Sequence, residues 1–279
     1  MSYHINNKDY GSIEEFVLQG RGCATTTPNH YQVRRNDERM AAISSNAPRP
    51  DNTVIPVRFI HITDDQKGLI TEAQRINQIE ILNEAYSLYG IQFSYSSDDV
   101  VFEDNSLWYS MDHGSKEERD AKKTLQGDPK TVLNFYTAGL SAGLLGWATF
   151  PWERDGDMER DGVVMLDSTL PGGSVNGFNL GKTAIHEVGH WLGLWHTFQG
   201  GCDAYGDHIG DTPAHASPNY GKPEEGRNNA CQATPEDAPI HNFMNYVDDA
   251  WMTEFTQGQM DRAWDQIALY RSEFFDATA

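Results

Sequence analysis

The stretch that most restricts this chain is His186-Glu-Val-Gly-His-Trp-Leu-Gly-Leu-Trp-His196. Residues four apart share one face of a helix, so a helix here aims His186 and His190 at one point. A straight helix would carry a third imidazole to a different face. Gly193 removes that obstacle, because glycine reaches backbone conformations closed to other residues and can end a helix in a sharp turn. His196 can then swing back to complete a tripod. Three imidazoles suit zinc, which in catalytic sites keeps three protein ligands and one water. Glu187 would stand beside the ion rather than on it. Zinc lowers the pKa of bound water to about 7, and a neighbouring carboxylate can take that water's proton and pass it to a leaving amine. His-Glu-x-x-His alone also fits a plain pair of surface histidines; Gly193 and His196 make the metal reading specific.

The rest of the chain is consistent with one large domain or two small ones. It has 279 residues, 38% of them hydrophobic and 11% aromatic, enough for a sizeable core. A formal net charge of −20 argues against nucleic acid, whose phosphates need Lys and Arg to replace counterions. No apolar run is long enough to insert in a membrane, and the first twenty residues carry no basic-then-apolar signal pattern. The strand signals fall at 54–62, 91–95, 131–136, 146–150 and 163–167. Apolar residues Ile76, Ile79, Leu82, Tyr86 and Tyr89 predict a helix over 71–89 ended by Gly90, and further helices are expected at 180–193 and about 256–271. This order predicts an α/β layered unit, followed by a loop-rich stretch to residue 240. Residues 1–50 stand apart: polar, with a basic cluster (Arg34, Arg35, Arg39) and a Pro48/Pro50 turn.

Asn242-Phe-Met-Asn-Tyr246 follows the histidine string by some fifty residues. Met244 fits a tight turn beneath the metal, though alone it would also read as core filler. Tyr246 could hydrogen-bond an oxyanion or be an ordinary core tyrosine. Together these residues resemble the pappalysins, a metzincin family, in their small microbial form. The resemblance covers roughly residues 54–265. It rests also on His196-Thr-Phe-Gln-Gly-Gly-Cys202, Gly206-Asp207, Asp211-Thr-Pro213, Asp248-Asp249 and Phe255-Thr-Gln-Gly-Gln259. It implies an α/β (α+β zincin) fold: a metzincin catalytic domain over 51–279, preceded by a propeptide-like segment at 1–50. An upper subdomain, about 51–193, would hold a twisted mixed sheet and the active-site helix. A lower, irregular subdomain, about 194–279, would carry the Met-turn.

The resemblance carries further expectations. Cys202 and Cys231 match a disulfide of the lower subdomain, worth roughly 3 kcal/mol by loop entropy; Trp251 stands where a cysteine of a second bridge would fall. Asp207, Asp211 and the Thr212 carbonyl match a calcium loop with hard oxygen donors, although acidic loop residues are commonly just solvated. Cys23, in Arg21-Gly-Cys-Ala-Thr-Thr, looks like the family's propeptide cysteine. Its thiolate could fill the fourth zinc position and hold the enzyme latent until cleavage near Arg34, Arg35, Arg39 or Arg49. Ala24 departs from the family's glycine after this cysteine. A buried, inert cysteine is the alternative.

The family also implies a secreted endopeptidase acting on peptides and proteins. Val163 to Ser168 is expected to be the sheet's edge strand, pairing with extended substrate. Asp248 or Asp249 could favour Lys or Arg after the scissile bond. Two other readings stand beside this one: a catalytically silent binding module that keeps the zinc fold, and a calcium-stabilised acidic scaffold with a structural metal. Glu187 speaks against the first, and a three-histidine set without a fourth protein ligand against the second.

Overall fold

The computed structural model describes residues 3–5, 8–11, 15, 22–42, 50–140, 143–203, 206–234 and 236–276. Arg21, Pro48 and Arg49 lie outside them. β1 (Tyr3–Ile5) pairs antiparallel with β2 (Lys8–Tyr10). Helix α1 (His30–Ala42) follows, then β3 (Thr53–Thr63), α2 (Glu72–Tyr86) and β4 (Ile91–Asp104). Helix α3 (Lys116–Leu125) leads to β5 (Leu133–Ala138), β6 (Gly146–Ala148) and β7 (Val163–Leu166). Helix α4 (Lys182–Trp191) carries the histidine string, and α5 (Gln257–Tyr270) lies near the C-terminus. Between them the described chain is nearly all loop, with one short pair, β8 (Tyr220–Gly221) and β9 (Tyr246–Val247).

The main sheet has the order β4-β3-β5-β7-β6. Its first four strands run parallel and β6 runs antiparallel to β7. Strand side chains alternate between faces. Ile55, Val57 and Phe59 of β3 therefore join one core with α2, α4 and α5. Ile60 and Ile62 join a second core on the opposite face, with Tyr136, Val164 and Trp147.

The sequence expectation for the edge strand is corrected here. Val163 to Leu166 is interior, flanked by β5 and β6, and Gly146–Ala148 is the edge. A buried strand hydrophobic on both faces and a short edge strand look alike in sequence, because pairing is decided by remote chain. The helix at 71–89 also needs adjusting. It is α-helical over 72–86 and tightens to a 3₁₀ turn at 87–89 before Gly90, which takes φ +80°. Thr71 and Gln74 cap its start reciprocally. Ile76 faces solvent, whereas Gln78 is buried and donates to the Gly181 carbonyl at 3.0 Å. β4 is longer than the 91–95 stretch suggested, α3 is the helix expected without bounds between the second and third strands, and α1 carried no sequence forecast. Arg34, Arg35 and Arg39 fall inside α1, where helical backbone does not offer the exposed loop that proteases cut.

Candidate active site

α4 begins after Gly181 and ends at Trp191, two residues before Gly193, whose φ is +89°. A Cβ on Gly193 would lie 2.5 Å from Gln266 Cγ, so both the turn and the space demand glycine. Arg262 of α5 donates from Nε to the Gly193 carbonyl at 3.0 Å. The turn brings His196 back against the helix. His190 Nε2 lies 3.2 Å from His186 Nε2 and 3.0 Å from His196 Nε2. These separations are near those a tetrahedral ion with bonds of roughly 2.0–2.1 Å would set.

Two of the other ring nitrogens are committed to backbone. His186 Nδ1 donates to the Phe243 carbonyl and His190 Nδ1 to the Leu194 carbonyl, each at 2.7 Å. That fixes the tautomer and leaves each Nε2 lone pair facing the tripod's centre. Burial holds the rings neutral: His186 is pushed down to about 4, and His190 and His196 fall well below their ordinary value through burial and each other's proximity. Neutral, pre-oriented imidazoles fit zinc. Among the described residues, Cys23, His186, His190 and His196 form the one group of three or more metal-capable side chains, their ligand atoms within 4.8 Å of one another.

Glu187 is fully buried beside this tripod. Its Oε2 accepts from Thr25 Oγ1 at 3.0 Å and from Cys23 Sγ at 3.5 Å, while Oε1 has no partner. Burial pushes its carboxyl up to about 8, against the lowering effect of those hydrogen bonds. Tyr246 Oη lies 3.1 Å from His196 Nε2. Met244 is wholly buried below α4, its sulfur 2.5 Å from where a Cβ on Gly189 would stand. Gly189 therefore belongs to the site's architecture, and its place inside the histidine string gave no hint of that contact.

The chain before α1 lies along the edge strand. Leu145 N donates to the Gly22 carbonyl at 2.8 Å, and Ala24 N to the Gly146 carbonyl at 2.9 Å. Cys23 and Gly146 form a parallel bridge. Ala148 N donates to Thr25 Oγ1 at 2.9 Å. Thr25 was not singled out from sequence; its position two residues after Cys23 is the one signal available. α1 then seats on α5: Asn36 Oδ1 accepts from Gln266 Nε2 and Tyr270 Oη, and Asp37 pairs with His208 at 3.0 Å.

A cleft opens beside the tripod, walled by Phe178, Thr183, Val247, Asp249 and Met252. Of the two acids expected there, Asp249 lines it and Asp248 does not. Asp249 Oδ2 accepts from Leu180 N at 2.8 Å and Lys182 N at 3.3 Å, and Oδ1 is buried without a partner. Burial raises its carboxyl to about 7.

The expected calcium residues lie on one loop, 207–212. Asp207 is buried; Oδ1 accepts from Ile209 N at 3.1 Å and Oδ2 has no partner. Its carboxyl is pushed up to about 8 by burial. Asp211 instead caps α5, accepting from Gly258 N at 2.9 Å. Thr212 is buried on the same loop. Cys202 and Cys231 form a disulfide with a Cα–Cα distance of 5.5 Å, and Cys23 is a free thiol. Trp251 hydrogen-bonds the Pro223 carbonyl through its indole at 3.1 Å.

A parallel sheet with one antiparallel edge, a helix ending in a glycine turn and a histidine tripod above a buried methionine define a metzincin metalloendopeptidase. The family model described as pregnancy-associated plasma protein-A matches residues 118–268. An extracellular metalloprotease of Pyricularia oryzae is 39% identical over 219 residues, covering 77% of this chain and 75% of its own. One from Neurospora crassa is 37% identical over 261 residues, covering 90% and 89%. The structure also resembles a promirolysin variant of Tannerella forsythia, with TM-score 0.79, 25% identity and coverage of 91% of this chain and 97% of that one. Mature mirolysin in complex with a cleaved peptide matches with TM-score 0.71 and 26% identity, over 81% and 98%. The chain belongs to the pappalysin family of metzincins.

Proposed function

We propose that this metalloendopeptidase is a secreted zinc enzyme made in latent form, with His186, His190 and His196 as ligands and Glu187 as general base. The carrying observation is the convergence of three neutral Nε2 atoms beside one buried carboxylate. Zinc held there supplies Lewis acidity for the attacking water and the scissile carbonyl. Glu187 takes the water's proton and delivers it to the leaving amine. Tyr246 Oη donates to the oxyanion as the carbonyl carbon becomes tetrahedral. The Gly146 carbonyl and the Ala148 amide on the edge strand hold an extended peptide by backbone bonds.

In the latent form Cys23 would join the three histidines in holding the metal, and residues 1–50 act as a propeptide to a catalytic domain over 51–279. The parallel lie of residues 22–25 along β6, with the thiol inside the metal-capable group, supports this. The names of the fungal relatives support export from the cell, and the peptide complex of mirolysin supports peptide substrates. Asp249, with a free buried oxygen on the cleft wall, favours Lys or Arg after the cut. Asp207, with another, favours a calcium ion on the 207–212 loop, which neutralises a carboxylate that burial otherwise penalises.

Casein hydrolysis by the Cys23→Ser chain tests the core of this reading. Hydrolysis is expected to stop with a zinc chelator, to return with added zinc, and to fall at least about a hundredfold in Glu187→Ala, the scale of a lost acid–base group. Undiminished hydrolysis in Glu187→Ala would sink it. For calcium, added ion is expected to raise the thermal midpoint of the wild-type chain and leave that of Asp207→Asn unmoved.

A further inference from the structure

We propose that Thr25 is a second inhibitory residue of the latent enzyme, closing the general base as Cys23 closes the metal position. The inference rests on the latent reading given above and extends it from the metal to the carboxylate.

A hydrolytic water needs two things in this site: a place facing the three Nε2 atoms and an acceptor on Glu187. The Cys23 sulfur lies within the group of ligand atoms and takes the first. Another residue holds one oxygen of that acceptor, Oε2, while Oε1 is without a partner. Thr25 is buried, and its hydroxyl donates to Glu187 Oε2 at 3.0 Å while accepting from Ala148 N at 2.9 Å. Its own amide donates to Cys23 Sγ at 3.4 Å. One residue thus ties the thiol, the carboxylate and the edge strand together. The oxygen it engages also accepts from the sulfur, 3.5 Å away. A water entering as the sulfur leaves would still find Oε2 occupied.

The hydroxyl is what matters, and it can be removed cleanly. Valine matches threonine in shape and branching but lacks the hydroxyl, so Thr25→Val deletes both side-chain bonds. Serine keeps them. The segment as a whole remains seated through α1, whose Asn36 bonds Gln266 and Tyr270 on α5. The effect of Thr25→Val is therefore expected to be local.

The experiment uses the intact full chain, with length checked by mass before and after each assay. The first measurement is the rate of Cys23 alkylation by N-ethylmaleimide in chelator-treated protein, where Cys23 is the free thiol. The second is hydrolysis of a quenched peptide by zinc-loaded protein. Thr25→Val is expected to raise both rates about tenfold, the scale of one buried hydrogen bond, and Thr25→Ser to stay at the wild-type level. Thr25→Ala, which cannot overfill the site, is run beside Thr25→Val and is expected to match it. In the Glu187→Ala background the gain in alkylation on adding Thr25→Val is expected to shrink, because the shared partner is gone. If Thr25→Val and Thr25→Ala label and hydrolyse at wild-type rates while Cys23→Ser hydrolyses faster, Thr25 has no inhibitory part and the thiol acts alone. If Cys23→Ser is itself no faster than wild type, the latent reading is what fails.

Discussion

Gly189 and Gly193 show how strongly single residues constrain this site. At Gly193 the backbone is left-handed and Gln266 fills the space a side chain would need; at Gly189 the buried Met244 sulfur does so. Asp249 poses a different demand. Its carboxyl is raised to about 7 by burial, so in the free enzyme it is neutral well below that pH and charged well above it. If it attracts a basic side chain after the scissile bond, selectivity must follow its ionisation. The ratio of kcat/KM for paired peptides with Arg or Leu at that position is therefore expected to rise as pH increases from 6 to 8. The ratio cancels titrations that both substrates share, such as that of Glu187. Asp249→Asn should flatten the curve, and a flat wild-type ratio would discard the role.

The active-site helix depends on elements far from it in sequence. At its C-terminal end Trp191 donates from its indole to Asp161 Oδ1 at 3.1 Å. Arg271, just past α5, grips both oxygens of Asp161 at 2.7 and 2.8 Å and stacks over the Trp191 ring at 3.7 Å. All three are buried. Removing one member of such a pair leaves an uncompensated charge in the interior, at a cost of about 3–5 kcal/mol. Arg271→Met is expected to lower the urea midpoint accordingly. Asp161→Leu combined with Arg271→Met should recover part of the loss, because the pair is then removed whole and Arg154, 3.9 Å from Asp161, keeps Glu273 at 3.2 Å. Equal losses in single and double variants would show that packing on Trp191, not charge pairing, dominates.

For the molecule as a whole, the disulfide joins two points of a loop-rich region with little regular structure of its own. Its span of 29 residues corresponds to roughly 3 kcal/mol of lost unfolded-state entropy. Replacing Cys202 and Cys231 together by alanine should lower the unfolding free energy by about that amount, read from denaturant melts. No loss would mean the loops are held by other means, such as the His215–Thr197 and Asn219–Asn245 bonds. No described helix is long and apolar enough to cross a membrane.

The metal-capable site was legible because its core is local. Helical period and one glycine turn bring His186, His190 and His196 together within eleven residues, and Glu187 comes with them. The Met244 turn and the Cys202–Cys231 pairing were legible through family likeness, not through spacing. What the chain order could not decide was which segments lie side by side. The edge strand proved to be Gly146–Ala148 instead of Val163 to Leu166, because strand neighbours are chosen by the packing of the entire sheet. Asp249 was separated from Asp248 only by the turn that points one at the cleft. Thr25 met Glu187 across 162 residues. Short-range geometry follows from backbone stereochemistry and can be read along the chain. Long-range contact is set by burying many surfaces at once, and only the folded structure records that outcome.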